Sequence, residues 1–166
     1  MDDGSSDQTY QIALNQKDEY EQIEVVKLAG NFGQHRAILA GMRYSSADIL
    51  AVMDSDLQDR PEYIPMLVEK MLSENTSMAI ARRKTRSDSF RKKISSRLFA
   101  ATSNILVPFN VDPHLGAFRV IKKSVVEQVC AVKEHTGTPF SMLYSLRVPY
   151  SVVDIEREPR LAGKTG

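Results

Sequence analysis

Hydrophobic residues along this chain alternate between short apolar runs and stretches with helical spacing. The apolar runs predict strands at 23–29 (IEVVKLA), 48–54 (DILAVMD), 77–83 (SMAIARR), 116–123 (GAFRVIKK) and 150–158 (YSVVDIERE). Helical spacing predicts helices near 10–21, 34–45, 61–72, 87–107, 124–132 and 139–146. Strands that alternate with helices are typical of βαβ units. We therefore predict an α/β fold in which helices flank a mainly parallel sheet.

Two acidic loops are predicted to follow strands, at the edge of the sheet where ligands collect. They are DDGSSD at 2–7 and DSDLQD at 54–59. Asp54 and Asp56 alternate after an apolar strand, so both carboxylates can face one hard cation, and Gln58 adds a neutral oxygen. This pattern favours Mg²⁺ or Mn²⁺, which bind one or two protein carboxylates and complete their shell with water and substrate phosphates.

Asp59 has a simpler interpretation when it is considered alone. It precedes Pro61, which sits where the first turn of a helix accepts proline, so Asp59 is predicted to cap that helix.

The distribution of charge indicates an anionic partner. The chain has a formal net charge of +1, but eight Lys and Arg stand against one acid between Arg82 and Arg97. The segment 87–107 adds an apolar stripe, which is typical of a helix that lies in a membrane interface. A core-facing helix with a solvated face has the same pattern. We expect no nucleic-acid partner, because the basic cluster lacks interleaved aromatic residues and no binding motif accompanies it.

Targeting and redox signals are sparse in this sequence. The single cysteine, Cys130, lies in an apolar run, so a disulfide framework is excluded and a reducing compartment is favoured. We find no signal peptide and no apolar run long enough to cross a bilayer.

Three motifs, spaced as they are, resemble the family 2 glycosyltransferases of the GT-A fold: DDGSSDQT, NFGQHRAILAG and MDSDLQDRPEYIP. The nearer resemblance is to the branch that transfers sugars to polyisoprenyl phosphates, which includes the dolichol-phosphate mannose synthases and the bactoprenol glucosyltransferases. The segments SDSFRKKISSRLF, GAFRVIKKSVVE and EREPRLAGKTG agree with that branch, so the resemblance spans nearly the whole chain.

The resemblance implies a metal-dependent, inverting transfer of a sugar from a UDP- or GDP-linked donor to a polyprenyl phosphate, in cell-envelope glycan synthesis. The implied donor-binding residues are Asp2, Asp3, Ser5, Asp7, Asn31 and Gly33. The implied metal site is Asp54, Asp56 and Gln58, with Mg²⁺ or Mn²⁺ as cofactor. The implied acceptor-phosphate residues are Arg97, Arg119, Arg157, Arg160 and Lys164. Asp54, Asp56, Arg97 and Arg119 are the expected catalytic set.

The resemblance also implies an organisation for the chain. Residues 1–166 are expected to form one catalytic domain that acts in the cytoplasm at the inner face of the membrane. The family has a strand, a loop, a helix and a second strand before the first acidic loop, so we expect this chain to be truncated at its amino end. Apolar faces and unpaired strand edges would then be exposed, which predicts self-association. Relatives in the bactoprenol branch often carry Gly-Asp-Phe-Arg where this chain has Gly-Ala-Phe-Arg at 116–119.

Two alternatives remain open from the sequence. The first is a haloacid dehalogenase-type phosphohydrolase with Asp54 as nucleophile and Asp56 as acid, since LAVMDSD also fits that pattern. The second is a catalytically impaired remnant that binds a membrane or a partner through the basic residues of 82–97.

Overall fold

A computed structural model of the chain describes residues 1–56, 58–83, 115–132 and 138–156. The helices in this part are α1 (Thr9–Glu19), α2 (Gln34–Tyr44), α3 (Ile64–Ser73), α4 (Lys123–Ala131) and α5 (Pro139–Ser145), with a short 3-10 helix (Pro61–Tyr63) before α3. The strands are β1 (Ile49–Val52), β2 (Met78–Arg83), β3 (Leu115–Lys122) and β4 (Tyr150–Ile155). Among the described residues, helices and strands therefore form where the hydrophobic pattern predicts them, with one exception at 23–29.

The four described strands form one sheet in the order β1-β3-β2-β4. Strand β3 is antiparallel to both of its neighbours, whereas β2 and β4 are parallel. It follows that β1, β2 and β4 run in one direction and β3 runs against them. The predicted α/β class is confirmed, but the pairing is mixed rather than mainly parallel, because β3 is inserted between β1 and β2.

Alternation along the strands divides the core between the two faces of the sheet. One face packs against α2, α4 and α5 and buries residues such as Met78, Ile80 and Ile121. The other face packs against α3 and buries Phe118 and Val120 with the alanines of β2. Burying both faces explains why the strands read as nearly continuous apolar runs.

The strand predicted at 23–29 is wrong as a regular element. In the structure this segment makes one isolated parallel bridge, between Asp2 and Lys27. Two backbone hydrogen bonds hold it: the Asp2 N–H donates to the Val26 carbonyl at 2.8 Å, and the Leu28 N–H donates to the Asp2 carbonyl at 2.9 Å. Among the described residues only the short segment around Asp2 pairs with it, and a ladder needs more than one partner residue.

The predicted cap at Asp59 is also wrong. The 3-10 helix begins after Arg60, and no side-chain hydrogen bond caps it. The Asp59 side chain is fully buried and lies beside Arg83 instead. The predicted helix at 87–107 lies outside the described residues. Within the part of the chain that the structure describes, no helix is long and apolar enough to cross a membrane.

Candidate functional site

The amino-terminal acidic loop is fixed by its own hydrogen bonds. Asp2 is buried, and its Oδ2 accepts a hydrogen bond from the Ser5 N–H at 3.1 Å. Hydrogen bonding from the Ser5 side chain, together with this N–H, lowers the pKa of the Asp2 carboxyl below its ordinary value, because it stabilises the ionised form. Asp7 is exposed, and its carboxylate accepts from the Thr9 N–H at 3.0 Å. Hydrogen bonding from the Thr9 side chain and this N–H lowers the pKa of Asp7 in the same way. Asp7 thus holds the start of α1, while Asp2 holds the turn at Ser5.

Asp3 joins this loop to the start of α2. Its two carboxylate oxygens accept hydrogen bonds from the backbone N–H groups of Phe32 (2.9 Å) and Gly33 (2.7 Å). A carboxylate is favourable here, since the N-terminus of a helix carries partial positive charge and unpaired N–H groups. Asp3 therefore positions the turn that contains Asn31 and Gly33. The implied roles of these residues in donor binding stay predictions.

Gly4 permits the close contact between the two loops. Its backbone has a φ of +71°, and a Cβ built there would lie 2.5 Å from the carbonyl carbon of Gly30. We predict that Gly4→Ala lowers the free energy of unfolding by about 3 kcal/mol, since it adds a steric clash to a strained left-handed backbone. Equilibrium denaturation in urea would measure the change.

Gly33→Ala is the matched control for Gly4→Ala. Gly33 has a φ of +89°, but a Cβ there would meet no atom within 4 Å. Gly33→Ala should therefore lower the free energy of unfolding by about 1–2 kcal/mol, through backbone strain alone. Equal effects of the two substitutions would mean that the loops are not packed against each other as described.

The second acidic loop follows β1 and meets α2 through Gln34. The Oδ1 of Asp54 accepts a hydrogen bond from Gln34 Nε2 at 2.9 Å. The Oδ1 of Asp56 accepts from the Gln58 backbone N–H at 3.2 Å, which shapes the turn. Because Asp3 binds the turn just before Gln34, both acidic loops are connected through the first residues of α2. The sequence predicts that both loops follow strands at one edge of the sheet; among the described residues only the second loop follows a strand, and α2 connects the two loops.

Arg83 lies between two acids at the same edge. Its Nη2 is 3.8 Å from Asp54 Oδ2 and 3.5 Å from Asp59 Oδ2. The sequence indicates Arg83 only as one of the basic residues of 82–97 and not as a residue of the acidic site. The strand pattern nevertheless indicates its position, because Arg83 ends an apolar strand and so reaches the same edge of the sheet as Asp54.

A groove of about 930 Å³ opens between β1 and the start of α2. Its volume falls within the range of small-molecule sites, roughly 300–1,000 Å³. One end is polar, and the remainder is mainly apolar and runs along the side of β1 that pairs with no described strand. The polar end is formed by Asp3, Gln34, Asp54, Ser55 and Asp56. A charged ligand group would therefore lie at this end.

The donor set at the polar end suits a hard divalent cation. Asp54 and Asp56 supply carboxylate oxygens and Gln58 can supply an amide oxygen, which are ligands that Mg²⁺ and Mn²⁺ accept. No group of three or more His, Cys, Asp or Glu side chains that could hold a metal occurs among the described residues. A cation here would accordingly bind few protein ligands and rely on substrate oxygens and water for the rest.

Arg119 lies on the opposite face of the sheet from Arg83. Its side chain is 2% exposed, and its guanidinium carbon is 3.9 Å from the centre of the Phe140 ring. Nε donates to the Ala117 carbonyl at 3.1 Å and Nη2 donates to the Gly116 carbonyl at 2.6 Å. Burial lowers the pKa of the Arg119 guanidinium, and nearby Tyr144 opposes that change.

These hydrogen bonds explain why an arginine stands at position 119. The register between β2 and β3 shifts at this point, since Ile80 pairs with Arg119 but Arg82 pairs with Leu115. Between these two pairs β3 advances four residues while β2 advances two, so the ladder is irregular here. The Arg119 guanidinium donates to two carbonyls in this irregular stretch of β3, those of Gly116 and Ala117. In the structure it is therefore a buried packing residue, and its implied role at an acceptor phosphate stays a prediction.

Four other residues implied at the acceptor phosphate stay predictions. Arg97, Arg157, Arg160 and Lys164 all lie outside the described residues. Ser5 lies in the first loop, where its N–H donates to Asp2, and Asn31 directly precedes Phe32, whose N–H donates to Asp3.

Comparison with known sequences identifies relatives. The sequence profile of "Glycosyl transferase family 2" matches residues 1–130. The chain is 28% identical to an uncharacterized glycosyltransferase of Synechocystis, a match that covers 99% of this chain and 52% of that protein. It is 31% identical to the bactoprenol glucosyl transferase of Shigella phage SfV, over 98% of this chain and 53% of that protein. The chain spans about half the length of the curated relatives it matches.

A solved structure shares the fold. Glucosyl-3-phosphoglycerate synthase from Mycobacterium tuberculosis, in complex with Mn²⁺ and UDP-glucose, superposes with a TM-score of 0.60 at 19% identity. The match covers 98% of this chain and 59% of that one. Identity this low shows the fold alone, and the predicted GT-A type is confirmed.

Proposed function

The chain belongs to glycosyl transferase family 2, and from that premise we propose that it provides the donor- and metal-binding part of an enzyme that transfers a sugar from a nucleotide-sugar to a polyprenyl phosphate. The single observation that carries the proposal is the convergence of both acidic loops on the first residues of α2. Asp3 binds the backbone at Gly33, and Gln34 binds Asp54. The family assignment argues against the phosphohydrolase alternative.

The choice of substrates is supported by the relatives. The phage protein is named for glucosyl transfer to bactoprenol, and the mycobacterial structure was determined with UDP-glucose and Mn²⁺ bound. For this chain we propose a UDP- or GDP-linked donor, a polyprenyl-phosphate acceptor and Mg²⁺ or Mn²⁺. Such a lipid acceptor places the reaction at a membrane surface, and we propose the cytoplasmic face.

The reaction itself needs little from the protein beyond charge and position. An oxygen of the acceptor phosphate forms the new bond to the anomeric carbon, the bond from that carbon to the diphosphate breaks, and the nucleoside diphosphate leaves with the electron pair. A single displacement inverts the anomeric centre. The acceptor phosphate is already anionic at neutral pH, so no strong general base is required.

Asp54 and Asp56 would hold the divalent cation, whose chemistry is to neutralise the charge that develops on the leaving diphosphate. Gln34 keeps the Asp54 carboxylate oriented, and Gln58 closes the turn around Asp56. Arg97, Arg157, Arg160 and Lys164 are proposed to bind the acceptor phosphate, since guanidinium groups bind phosphate in a bidentate manner. Self-association of this chain, which is expected from unpaired strand edges, stays a prediction.

A transfer assay tests this proposal. The chain is incubated with radiolabelled UDP-glucose or GDP-mannose, undecaprenyl phosphate in detergent and MnCl₂, and the label that moves into the organic phase is counted. We expect transfer from one donor and its loss on addition of EDTA. Vesicle binding without transfer from any donor would support the impaired-remnant alternative, and transfer that is insensitive to EDTA would contradict the metal assignment.

A further inference from the structure

Arg83 is a cation already present at the proposed metal site. One guanidinium nitrogen, Nη2, is 3.8 Å from an oxygen of Asp54 and 3.5 Å from an oxygen of Asp59. The Asp59 side chain is fully buried, whereas the side chains of Asp54 and Arg83 are 23% and 30% exposed. A buried carboxylate requires a counter-ion or hydrogen-bond donors. Arg83 is therefore anchored on its buried side and faces Asp54 on its solvent side.

The sequence permits this contact at one particular glycine. Strand β3 lies between β1 and β2, so Arg83, at the end of β2, must cross β3 to approach Asp54. It crosses at Gly116, where a Cβ would lie 3.0 Å from Nε and Nη2 and 3.1 Å from Cζ of Arg83. Ordinary contact between such atoms is about 3.5–4.0 Å. Gly116 thus lets the guanidinium lie flat against the backbone of β3.

We propose that Arg83 is a positioning residue that acts as an internal counter-ion for Asp54, and that a divalent cation must displace it from Asp54 in order to bind. The inference rests on the proposed function, since it takes Asp54 as a metal ligand. Two cations cannot share one carboxylate oxygen at close range without repulsion. Asp59 retains Arg83 when the exchange occurs, so the guanidinium stays in the site. Arg83 thereby sets the affinity of the site for metal.

The unmodified chain is titrated with MnCl₂ alone, and the electron paramagnetic resonance signal of free Mn²⁺ is recorded at each step. This titration measures the affinity directly. Arg83→Gln should bind Mn²⁺ about tenfold more tightly, because a neighbouring charge at this distance typically changes ionic equilibria by about one order of magnitude or more. Arg83→Lys keeps the positive charge and should remain within about twofold of the unmodified chain.

Arg82→Gln is the matched control. Arg82 is the preceding residue and carries the same charge, but it pairs with Asp154, with Nε and Nη2 at 2.6 and 3.1 Å from the carboxylate oxygens. Its substitution changes the net charge equally and should leave Mn²⁺ affinity unchanged. Gly116→Ala should move the Arg83 guanidinium away from its position and tighten Mn²⁺ binding in the same direction as Arg83→Gln, by a smaller factor.

A thermal-unfolding cycle without metal tests the anchor at Asp59. Arg83→Gln should lower Tm, since it leaves a buried carboxylate without this cation. The double substitution Arg83→Gln with Asp59→Asn should recover part of that loss, because the buried charge is removed as well. Tm losses that simply add in the double variant would overturn the anchoring role of Asp59.

The outcomes separate this inference from the proposed function. If Asp54→Asn binds Mn²⁺ as well as the unmodified chain does, the metal lies elsewhere and the proposed function is at fault. If Asp54→Asn abolishes binding but Arg83→Gln fails to tighten it, or tightens it no more than Arg82→Gln does, the exchange alone is overturned. Absence of Mn²⁺ binding in every variant, including Arg83→Gln, would overturn both.

Discussion

Replacing Asp54 by Asn should reduce sugar transfer roughly a thousandfold, since the metal proposed for this site would contribute several kcal/mol to stabilising the leaving diphosphate. The substitution is nearly isosteric, and an amide oxygen at position 54 can still accept the hydrogen bond that Gln34 donates to Asp54 at 2.9 Å. The change therefore removes the charge and little else. The transfer assay with UDP- and GDP-sugars, run over a range of MnCl₂ concentrations, measures the loss.

Asp48→Asn is the matched control for this prediction. Asp48 immediately precedes β1, at the end of the strand opposite to Asp54, and it is exposed. The same charge is lost on the same segment of chain, yet transfer should be unaffected. Equal losses in both variants would show that a general charge effect is responsible. Unchanged transfer in Asp54→Asn would contradict its place in the metal site.

Replacing Arg119 by Ala should lower the free energy of unfolding by about 3 kcal/mol or more. The substitution removes a side chain that is 2% exposed and stacks on Phe140 at 3.9 Å. It also removes the donors to the carbonyls of Gly116 and Ala117, which lie where the register between β2 and β3 shifts. Urea denaturation measures the change in stability.

Arg119→Met separates packing from hydrogen bonding. Methionine restores much of the volume against Phe140 but donates no hydrogen bond, so its loss of stability should lie between zero and that of Arg119→Ala. The resemblance to the family instead implies that Arg119 binds the acceptor phosphate. A near-unchanged unfolding free energy with a raised KM for undecaprenyl phosphate in Arg119→Ala would contradict the packing role and favour the acceptor role.

The acidic loops could be predicted from the sequence because their signal is local. Asp54 and Asp56 follow an apolar strand directly, and helical spacing resumes after Pro61. The strand itself, β1, forms within the predicted run. Local patterns of this kind give the existence of an element and the edge at which a loop emerges.

Contacts between distant segments could not be predicted in the same way. The pairing of Asp3 with the turn at Phe32–Gly33 joins residues about 30 positions apart. Likewise, the approach of Arg83 to Asp54 depends on β3 lying between β1 and β2, and the sequence does not give strand order. Asp59 illustrates the consequence: a helix cap is the natural local interpretation, but the residue is buried beside Arg83.

The segment 23–29 shows a different limit. Its apolar character predicts a strand correctly only if a neighbouring strand is available to pair with it. In the structure the one described partner is the backbone of Asp2, so a single bridge forms. Likewise, the apolar run 116–123 does not indicate whether its strand pairs parallel or antiparallel. Strand β3 has the composition of a parallel core strand, yet it is antiparallel to both neighbours.

We propose that Asp54 and Asp56 form a metal-dependent site for a nucleoside diphosphate. Titration calorimetry of UDP and GDP into the chain, with and without MnCl₂, tests it most directly. We predict that one nucleotide binds only in the presence of Mn²⁺ and that Asp56→Asn abolishes this binding while Asp48→Asn preserves it. Binding that is equally tight without metal, or unchanged in Asp56→Asn, would contradict the claim.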